Sequence, residues 1–277
     1  MASNLASTLL DTGPPLPWWQ RLVRGQDRLI HLAPLAAVLL FLAAIATAFW
    51  YLRLEEVHRE QEAVKRDVEY SQQRLRLRLL ERQEQFMRLA RDISDRDMSP
   101  MQFDIRAESL VLQYPELMAL SWIDDQRRLM ATQTSPSVPR QRAWVADGQL
   151  KRGEVLEGFD LARDLRQPVY TQPLSEKGVE PVLYMHVPIT PRAHFAGELL
   201  AEFSVDGLLR YGVPAEVLAK YAVALFDGKD QLLAGQSIPE RPGLSDRLPW
   251  SGKVNEFDIP VSPVGNGLVL RAQAWRT

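Results

Sequence analysis

An uncharged apolar stretch of 21 residues, Leu32–Leu52, is the feature that most constrains the fold of this chain. At 1.5 Å per residue, a helix of that length measures about 31 Å, close to the thickness of a bilayer's hydrocarbon core. Phe49, Trp50 and Tyr51 stand at its end, where aromatic side chains favour a membrane interface. We therefore predict a transmembrane helix at residues 32–52, with the membrane as a partner.

Two other interpretations of this stretch remain. Ala46-Thr47-Ala48 resembles the cleavage site of a signal peptide, although about thirty residues precede the stretch and aromatic residues follow the site directly. A buried core helix is the other alternative, but such helices are seldom apolar on every side over this length. Lys and Arg are nearly balanced between the two flanks, and long domains cross the membrane largely regardless of charge. We therefore expect residues 1–31 to be a cytoplasmic tail and the main domain to lie outside.

Residues 53–98 predict a long stalk helix, because no Gly or Pro occurs between Arg53 and Asp97. Apolar residues recur there in steps of three, four and their sums, the period of a helix face. The residues of this stripe are Leu54, Val57, Val64, Val68, Leu75, Leu79, Phe86, Leu89 and Ile93, interrupted by Gln61, Ser71 and Arg82. Such a stripe must pack on the following domain or on a second copy of the chain. We expect a homodimer through this helix, with Leu75, Leu79 and Phe86 at the seam.

The segment after the stalk predicts a helix and then a series of strands. Ser99-Pro100 has the residue types of a helix N-cap and first position, and Pro115 stops that helix. "YPELMALSWIDDQRRLMAT", residues 114–132, predicts a strand, a polar turn and a returning strand. Further strands are predicted in residues 167–174 and 180–190, and residues 197–210 predict a strand running into a helix.

The strand–turn–strand pattern then begins again in "YAVALFDGKDQLLAG", residues 221–235. Asp227-Gly228 supplies a strong turn signal there. Residues 255–277 predict two more extended segments around Gly265-Asn266-Gly267.

This order of elements resembles the extracytoplasmic PAS-like sensor domains called Cache domains. These occur in bacterial transmembrane sensor histidine kinases, including the C4-dicarboxylate sensors. The resemblance implies an α+β fold with antiparallel sheets: a membrane-distal PAS-like sensor domain at residues 99–212 and a second, smaller PAS-like unit at residues 213–277. It also implies a bacterial inner-membrane location with the main domain in the periplasm.

Several kinds of chemistry are missing from the sequence. The absence of cysteine excludes disulfides, thiolate metal sites and a cysteine nucleophile, and a net charge of −2 gives no sign of a nucleic-acid partner. No nucleotide-binding or serine-nucleophile motif occurs, and no histidine has the context of a phosphoacceptor. We expect no catalytic residue, cofactor or metal here, and we expect the chain to be the sensory part of a longer protein.

Three functions are compatible with this organisation. The first is the ligand-sensing module of a two-component histidine kinase that detects a small molecule. The second is the sensor of a diguanylate cyclase or a chemoreceptor, which shares the same front end. The third is a membrane-anchored interaction or assembly protein in which the stalk helix is the functional surface.

The candidate ligand site is assigned to the first PAS-like domain. Arg163 and Arg166 could bind a carboxylate bidentately, or they could be solvated loop charges paired with Asp160 and Asp164. The candidate walls of the pocket are Trp122, Tyr170, Tyr184 and His186. The alternative for these four is an ordinary place in the core, with His186 as a satisfied core histidine.

Overall fold

The computed structural model describes residues 18–96, 98–136, 145–146, 148–150, 153–173, 180–238, 256–261, 263–264 and 267–275. In these ranges the chain is α+β, with one long helix followed by antiparallel sheets, which confirms the predicted fold class. The chain divides into two compact units, Met1–Arg59 and Glu60–Thr277. Of the predicted tail at residues 1–31, residues 1–17 lie outside the described residues, and residues 18–31 belong to the first helix.

The first unit contains the N-terminal part of helix α1, Trp18–Arg96. From Pro34 onward α1 carries a stretch that is long and apolar enough to cross a membrane, judged by length and composition. Its apolar side chains, such as Phe41 and Trp50, are exposed. A signal sequence would have the same properties, so that alternative stays open.

In the second unit, the predicted stripe of α1 is buried by the chain's own sheets. Leu75, Leu79 and Phe86 are at most 1% exposed, so the assignment of these residues to a seam with a second copy was wrong. Ser71 and Arg82, which seemed to interrupt the stripe, are buried as well. They can be buried because their polar groups are bonded: the Ser71 hydroxyl donates to the Asp67 carbonyl, and the Arg82 guanidinium to the Glu116 carboxylate. The homodimer stays a prediction.

Helix α2, Pro100–Gln113, begins where the sequence predicted. Ser99 and Gln102 form a capping box, in which each side chain bonds the other residue's backbone N–H. α2 buries Phe103, Ala107 and Val111. The Phe103 ring lies 5.9 Å from the Trp122 ring, so α2 packs on the same side of the first sheet as α1 does.

The first sheet is antiparallel, with the strand order β2-β1-β7-β6-β5. Its strands are β1 Leu117–Asp124, β2 Leu129–Thr134, β5 Val169–Tyr170, β6 Val182–Ile189 and β7 Gly197–Ser204. Two short strands, β3 Val145–Ala146 and β4 Gln149–Leu150, pair with each other beside it. The helical layer of α1 and α2 covers one face of the sheet, and helix α3, Gly153–Leu165, covers the other.

The second sheet has the order β10-β11-β8-β9, which confirms the repeated strand–turn–strand pattern. Its strands are β8 Tyr221–Phe226, β9 Leu232–Gly235, β10 Glu256–Pro260 and β11 Val269–Ala274. Helices α4, Val205–Gly212, and α5, Ala215–Lys220, connect the two sheets along the chain. The predicted turn residues Gly265 and Asn266 lie outside the described residues.

Two local predictions need correction. The strand predicted at residues 167–174 is only Val169–Tyr170, because Pro168 and Pro173 have no backbone N–H for a ladder and residue 174 is not described. Helix α3 was not predicted. Its buried residues Val155, Phe159 and Ala162 are spaced by four and three, which is the signal that could have revealed it.

Candidate functional site

The face of the first sheet that is covered by α3 carries an unusual number of buried polar side chains. Side chains alternate along a strand, so Tyr184 and His186 of β6 share a face, and so do Glu198 and Glu202 of β7. All four side chains are at most 1% exposed. Glutamate is seldom fully buried unless it is paired, so the partners of these carboxylates matter for the stability of this face.

His186 and Glu198 form a pair in the centre of this face. The His186 Nδ1 lies 3.0 Å from both carboxylate oxygens of Glu198. Burial raises the pKa of the Glu198 carboxyl; His186 lowers it by a smaller amount, and the nearby Asp160 raises it further. The second ring nitrogen of His186, Nε2, is buried without a hydrogen-bond partner among the described residues.

Gly158 of α3 lies directly against the His186 ring. A Cβ at Gly158 would stand 2.2 Å from His186 Nε2, far inside van der Waals contact. Glycine at this position therefore allows α3 to approach the sheet closely enough to enclose the pair.

A cavity of about 510 Å³ lies beside this enclosed region; we call it the α3 cavity. Its walls come from α3, from β5 and the residues that follow it, and from the turn between β8 and β9. The lining residues are Glu154, Glu157, Gly158, Leu161, Val169, Tyr170, Thr171, Gln172, Pro173, Asp227, Lys229 and Gln231. The volume is in the range of small-molecule sites, and the lining residues include three carboxylates, Glu154, Glu157 and Asp227, and one ammonium group, Lys229.

The β8–β9 turn that closes this cavity is held by its own hydrogen bonds. The Asp227 Oδ1 accepts from the backbone N–H groups of Lys229 and Gln231, at 2.8 and 2.7 Å. The turn thereby presents the Lys229 side chain from a defined backbone.

The two predicted arginines occupy different places. Arg163 is in the last turn of α3, exposed, and pairs with Asp160 and Asp164 at 3.0 Å each, which is the arrangement that the alternative interpretation described. Arg166 has a φ of 54°, and its backbone N–H donates to the Ala162 carbonyl. It lines a second, smaller cavity of about 350 Å³ beside the end of α1.

The structure also separates the four predicted wall residues. Trp122 packs on α2, and the Tyr170 hydroxyl lies 3.5 Å from the Leu79 carbonyl of α1, so both face the helical layer. Burial raises the pKa of the Tyr170 phenol. Tyr184 and His186 face α3 instead. The structure thus brings together Tyr184 and His186, and it places Tyr170 at the edge of the α3 cavity; the ligand contacts of all six predicted residues stay predictions.

Sequence reasoning missed a buried ion pair between α1 and the first sheet. The Arg82 Nε lies 3.1 Å from the carboxylate of Glu116, which precedes β1 and is fully buried. The Arg82 guanidinium also lies over the Tyr114 ring, 3.6 Å from its centroid, and Arg78 approaches the second Glu116 oxygen at 3.7 Å. A charged residue inside the apolar stripe was the signal for this partner.

The described residues contain no group of three or more metal-ligating side chains that could hold an ion. The charged lining of the α3 cavity is suited to binding a polar small molecule.

Comparisons with known proteins define the fold. No family model and no curated protein matches the chain. Among solved structures, it is similar to the ligand-binding domain of the Pseudomonas aeruginosa PAO1 amino acid chemoreceptor PctB in complex with L-Arg, with 16% identity, 77% of this chain and 87% of that chain covered, and a TM-score of 0.52. The PctC ligand-binding domain of the same organism, in complex with GABA, has 12% identity, coverage of 78% and 99%, and a TM-score of 0.52.

The extracellular domain of the putative histidine kinase mmHK1S-Z2 is a third similar structure, with 11% identity, coverage of 77% and 95%, and a TM-score of 0.50. At these identities the similarity establishes the fold. The chain has the fold of these chemoreceptor ligand-binding domains and of this extracellular domain, which agrees with the resemblance to Cache domains.

Proposed function

We propose that this chain is the small-molecule-sensing module of a membrane-anchored signal-transduction protein. The observation that carries the proposal is the arrangement on α1: the same helix contains the apolar stretch and the buried stripe that packs on both sheets. The α3 cavity could hold a ligand. Ligand binding there would shift the first sheet, and the Arg82–Glu116 pair would pass that shift to α1.

The charges around the α3 cavity favour a ligand that carries both an ammonium and a carboxylate group, as an amino acid does. Glu154 and Glu157 would attract the ligand's ammonium group, and Lys229 would attract its carboxylate. A C4-dicarboxylate would meet three carboxylates and one ammonium group, which disfavours it. The similar structures described with L-Arg and GABA agree with a zwitterionic ligand in this class of fold.

The proposed topology has residues 1–31 in the cytoplasm, one span at residues 32–52 in the bacterial inner membrane, the stalk at 53–98, and the sensor units at 99–212 and 213–277 in the periplasm. The proposed output is a two-component histidine kinase, with a chemoreceptor or diguanylate cyclase as the alternative. Similar structures come from a histidine kinase and from chemoreceptors, so the fold suits both outputs. The proposed active form is a homodimer.

Because the chain has no cysteine, single cysteines can test the topology. Lys229→Cys, an exposed position in the β8–β9 turn, should react with a membrane-impermeant maleimide in cells whose outer membrane has been permeabilised. Ser3→Cys should react only after the inner membrane is lysed. The reverse pattern would contradict the orientation.

The sensing function is tested by thermal denaturation of the full chain in detergent against a panel of amino acids, dicarboxylates and amines. A ligand at a hundredfold excess over its Kd should stabilise the fold by about 2.7 kcal/mol. Stabilisation by an amino acid supports the proposal. Failure of every amino acid, carboxylate and amine to stabilise the fold would favour the assembly-protein alternative.

A further inference from the structure

We propose that His186 and Glu198 form a proton-dependent contact that holds α3 against the first sheet. The contact would tighten when the Glu198 carboxyl is protonated and loosen when it ionises. Its consequence for ligand binding in the α3 cavity rests on the function proposed above, but the contact itself does not.

The geometry sets this pair apart from the surface ion pairs of the chain. Both side chains are completely buried, and the His186 Nδ1 bonds both carboxylate oxygens at 3.0 Å. Gly158 closes the other side of the imidazole ring. The pair therefore has no access to solvent while α3 is in place, and a change in its charge has to be absorbed by the structure around it.

The charged groups nearest the pair are Asp160 of α3 and its two arginine partners. Asp160 raises the pKa of Glu198, and Arg127 at 2.7 Å and Arg163 at 3.0 Å offset part of the Asp160 charge. Glu202 lies four residues along β7 on the same face, opposite Tyr184 of β6. Burial and the nearby Asp160 both disfavour the ionised form of Glu198.

The direction of the pH dependence follows from the raised pKa of Glu198. A carboxyl whose pKa is higher in the folded state stabilises that state at low pH, and the stabilisation is lost as the pH rises through the folded value. When the proton leaves, a buried carboxylate remains beside Asp160, and hydration is the available relief. Hydration requires α3 to separate from the sheet, because α3 is the element that covers the pair.

Gly158 connects this contact to the cavity. It touches the His186 ring and also lines the α3 cavity. Separation of α3 from the sheet at higher pH would therefore change the shape of the cavity wall, which would make the response of the sensor depend on the periplasmic pH.

Hydrogen–deuterium exchange of the full chain in detergent tests this contact without any ligand. Peptides covering α3, residues 153–165, are compared at pH 5.5 and pH 8 after correction for the intrinsic exchange rate. In the parent chain, α3 protection should be lower at pH 8 than at pH 5.5, because the raised pKa of Glu198 makes the covered state less favourable as the pH rises. In Glu198→Gln, which keeps the shape of the side chain but cannot ionise, α3 protection should not change.

Asp164→Asn is the matched control, because it removes an exposed carboxylate from the same helix and should behave as the parent does. Equal pH dependence in the parent and in Glu198→Gln would overturn the proposal. If Glu198→Gln does not fold, the parent alone decides: loss of protection confined to α3 supports the contact, whereas no loss, or equal loss in the strands of the second sheet, overturns it. The ligand panel described above tests sensing separately, so failure of either proposal can be recognised.

Discussion

At Gly158, the lack of a side chain decides how closely α3 can approach the first sheet. The His186 ring occupies the space that a Cβ would need, and the nearest ring atom would be 2.2 Å away. The His186 ring is itself held by Glu198 and cannot move without breaking a buried hydrogen bond. The close packing at this point therefore depends on one glycine.

Gly158→Ala should destabilise the fold by about 1–3 kcal/mol, because a methyl group must be forced into a filled site. Gly153→Ala, in the same helix, should cause no loss, because nothing lies within 4 Å of the Cβ that it adds. Urea denaturation of the full chain in detergent measures both. Equal stability of the two variants would show that the ring and helix adjust without cost.

At this scale the sequence predicted only part of the candidate site. The alternation along β6 correctly placed Tyr184 and His186 on one face. It could not reveal Glu198, because the partner of a residue across a sheet depends on the register between strands. Trp122 and Tyr170 were grouped with them on composition alone, although the pleat directs both toward the helical layer.

Helix α1 contacts both sheets of the second unit. In the second unit its stripe is covered by both sheets, and the ion pair of Arg82 with Glu116 fixes it to the start of β1. Glu116 is fully buried, and its charge is compensated mainly by Arg82 at 3.1 Å, with Arg78 further away at 3.7 Å. Breaking a buried pair costs far more than breaking an exposed one, since an uncompensated charge remains inside.

Arg82→Met should therefore destabilise the fold by about 3–5 kcal/mol. Arg88→Met is the matched control on the same helix: Arg88 pairs with Glu84 at the surface, where such a pair contributes less than about 1 kcal/mol. Adding Glu116→Gln to Arg82→Met should recover part of the loss. Chemical denaturation gives the three values, and similar losses for Arg82→Met and Arg88→Met would contradict the buried-pair account.

Because the α1 stripe is covered by its own chain, cross-linking through introduced cysteines should depend on which face of α1 carries them. A cysteine at Leu79, which is 1% exposed, should not form a disulfide between chains under mild oxidation. A cysteine at Leu77, which is 61% exposed, is free to do so if two copies associate through the outer face of α1. Non-reducing electrophoresis distinguishes them; efficient cross-linking at Leu79 would mean that the stripe is not covered by its own chain.

The helices and strands with the most regular sequence patterns were the ones that could be predicted. The C-terminal end of α1, the capped start of α2 and the hairpin of β1 and β2 followed from periodicity and turn residues. Helix α3 did not, because it has only 13 residues and only a few of them are buried. The sequence also could not decide whether the stripe of α1 faced its own domain or a second chain, since both partners need the same apolar spacing.

In the second unit, both antiparallel sheets pack on the α1 stripe, and elements of both sheets line the α3 cavity. α3 and β5 form one side of that cavity, and the β8–β9 turn forms the other. A ligand in the α3 cavity would contact α3, β5 and the β8–β9 turn at once. Binding would then favour one placement of the turn relative to α3 and β5, which is the way a ligand shifts a conformational equilibrium.

Isothermal titration calorimetry with a variant that fills the α3 cavity shows whether an amino acid binds there. Leu161 lines the α3 cavity, whereas Leu165, one turn further along α3, is exposed and is not part of its lining. An amino acid that stabilises the full chain should bind the parent and Leu165→Trp with the same Kd. It should bind Leu161→Trp at least tenfold more weakly, because the indole occupies the space of the ligand. Equal affinity in Leu161→Trp and Leu165→Trp would contradict the account and place the ligand elsewhere.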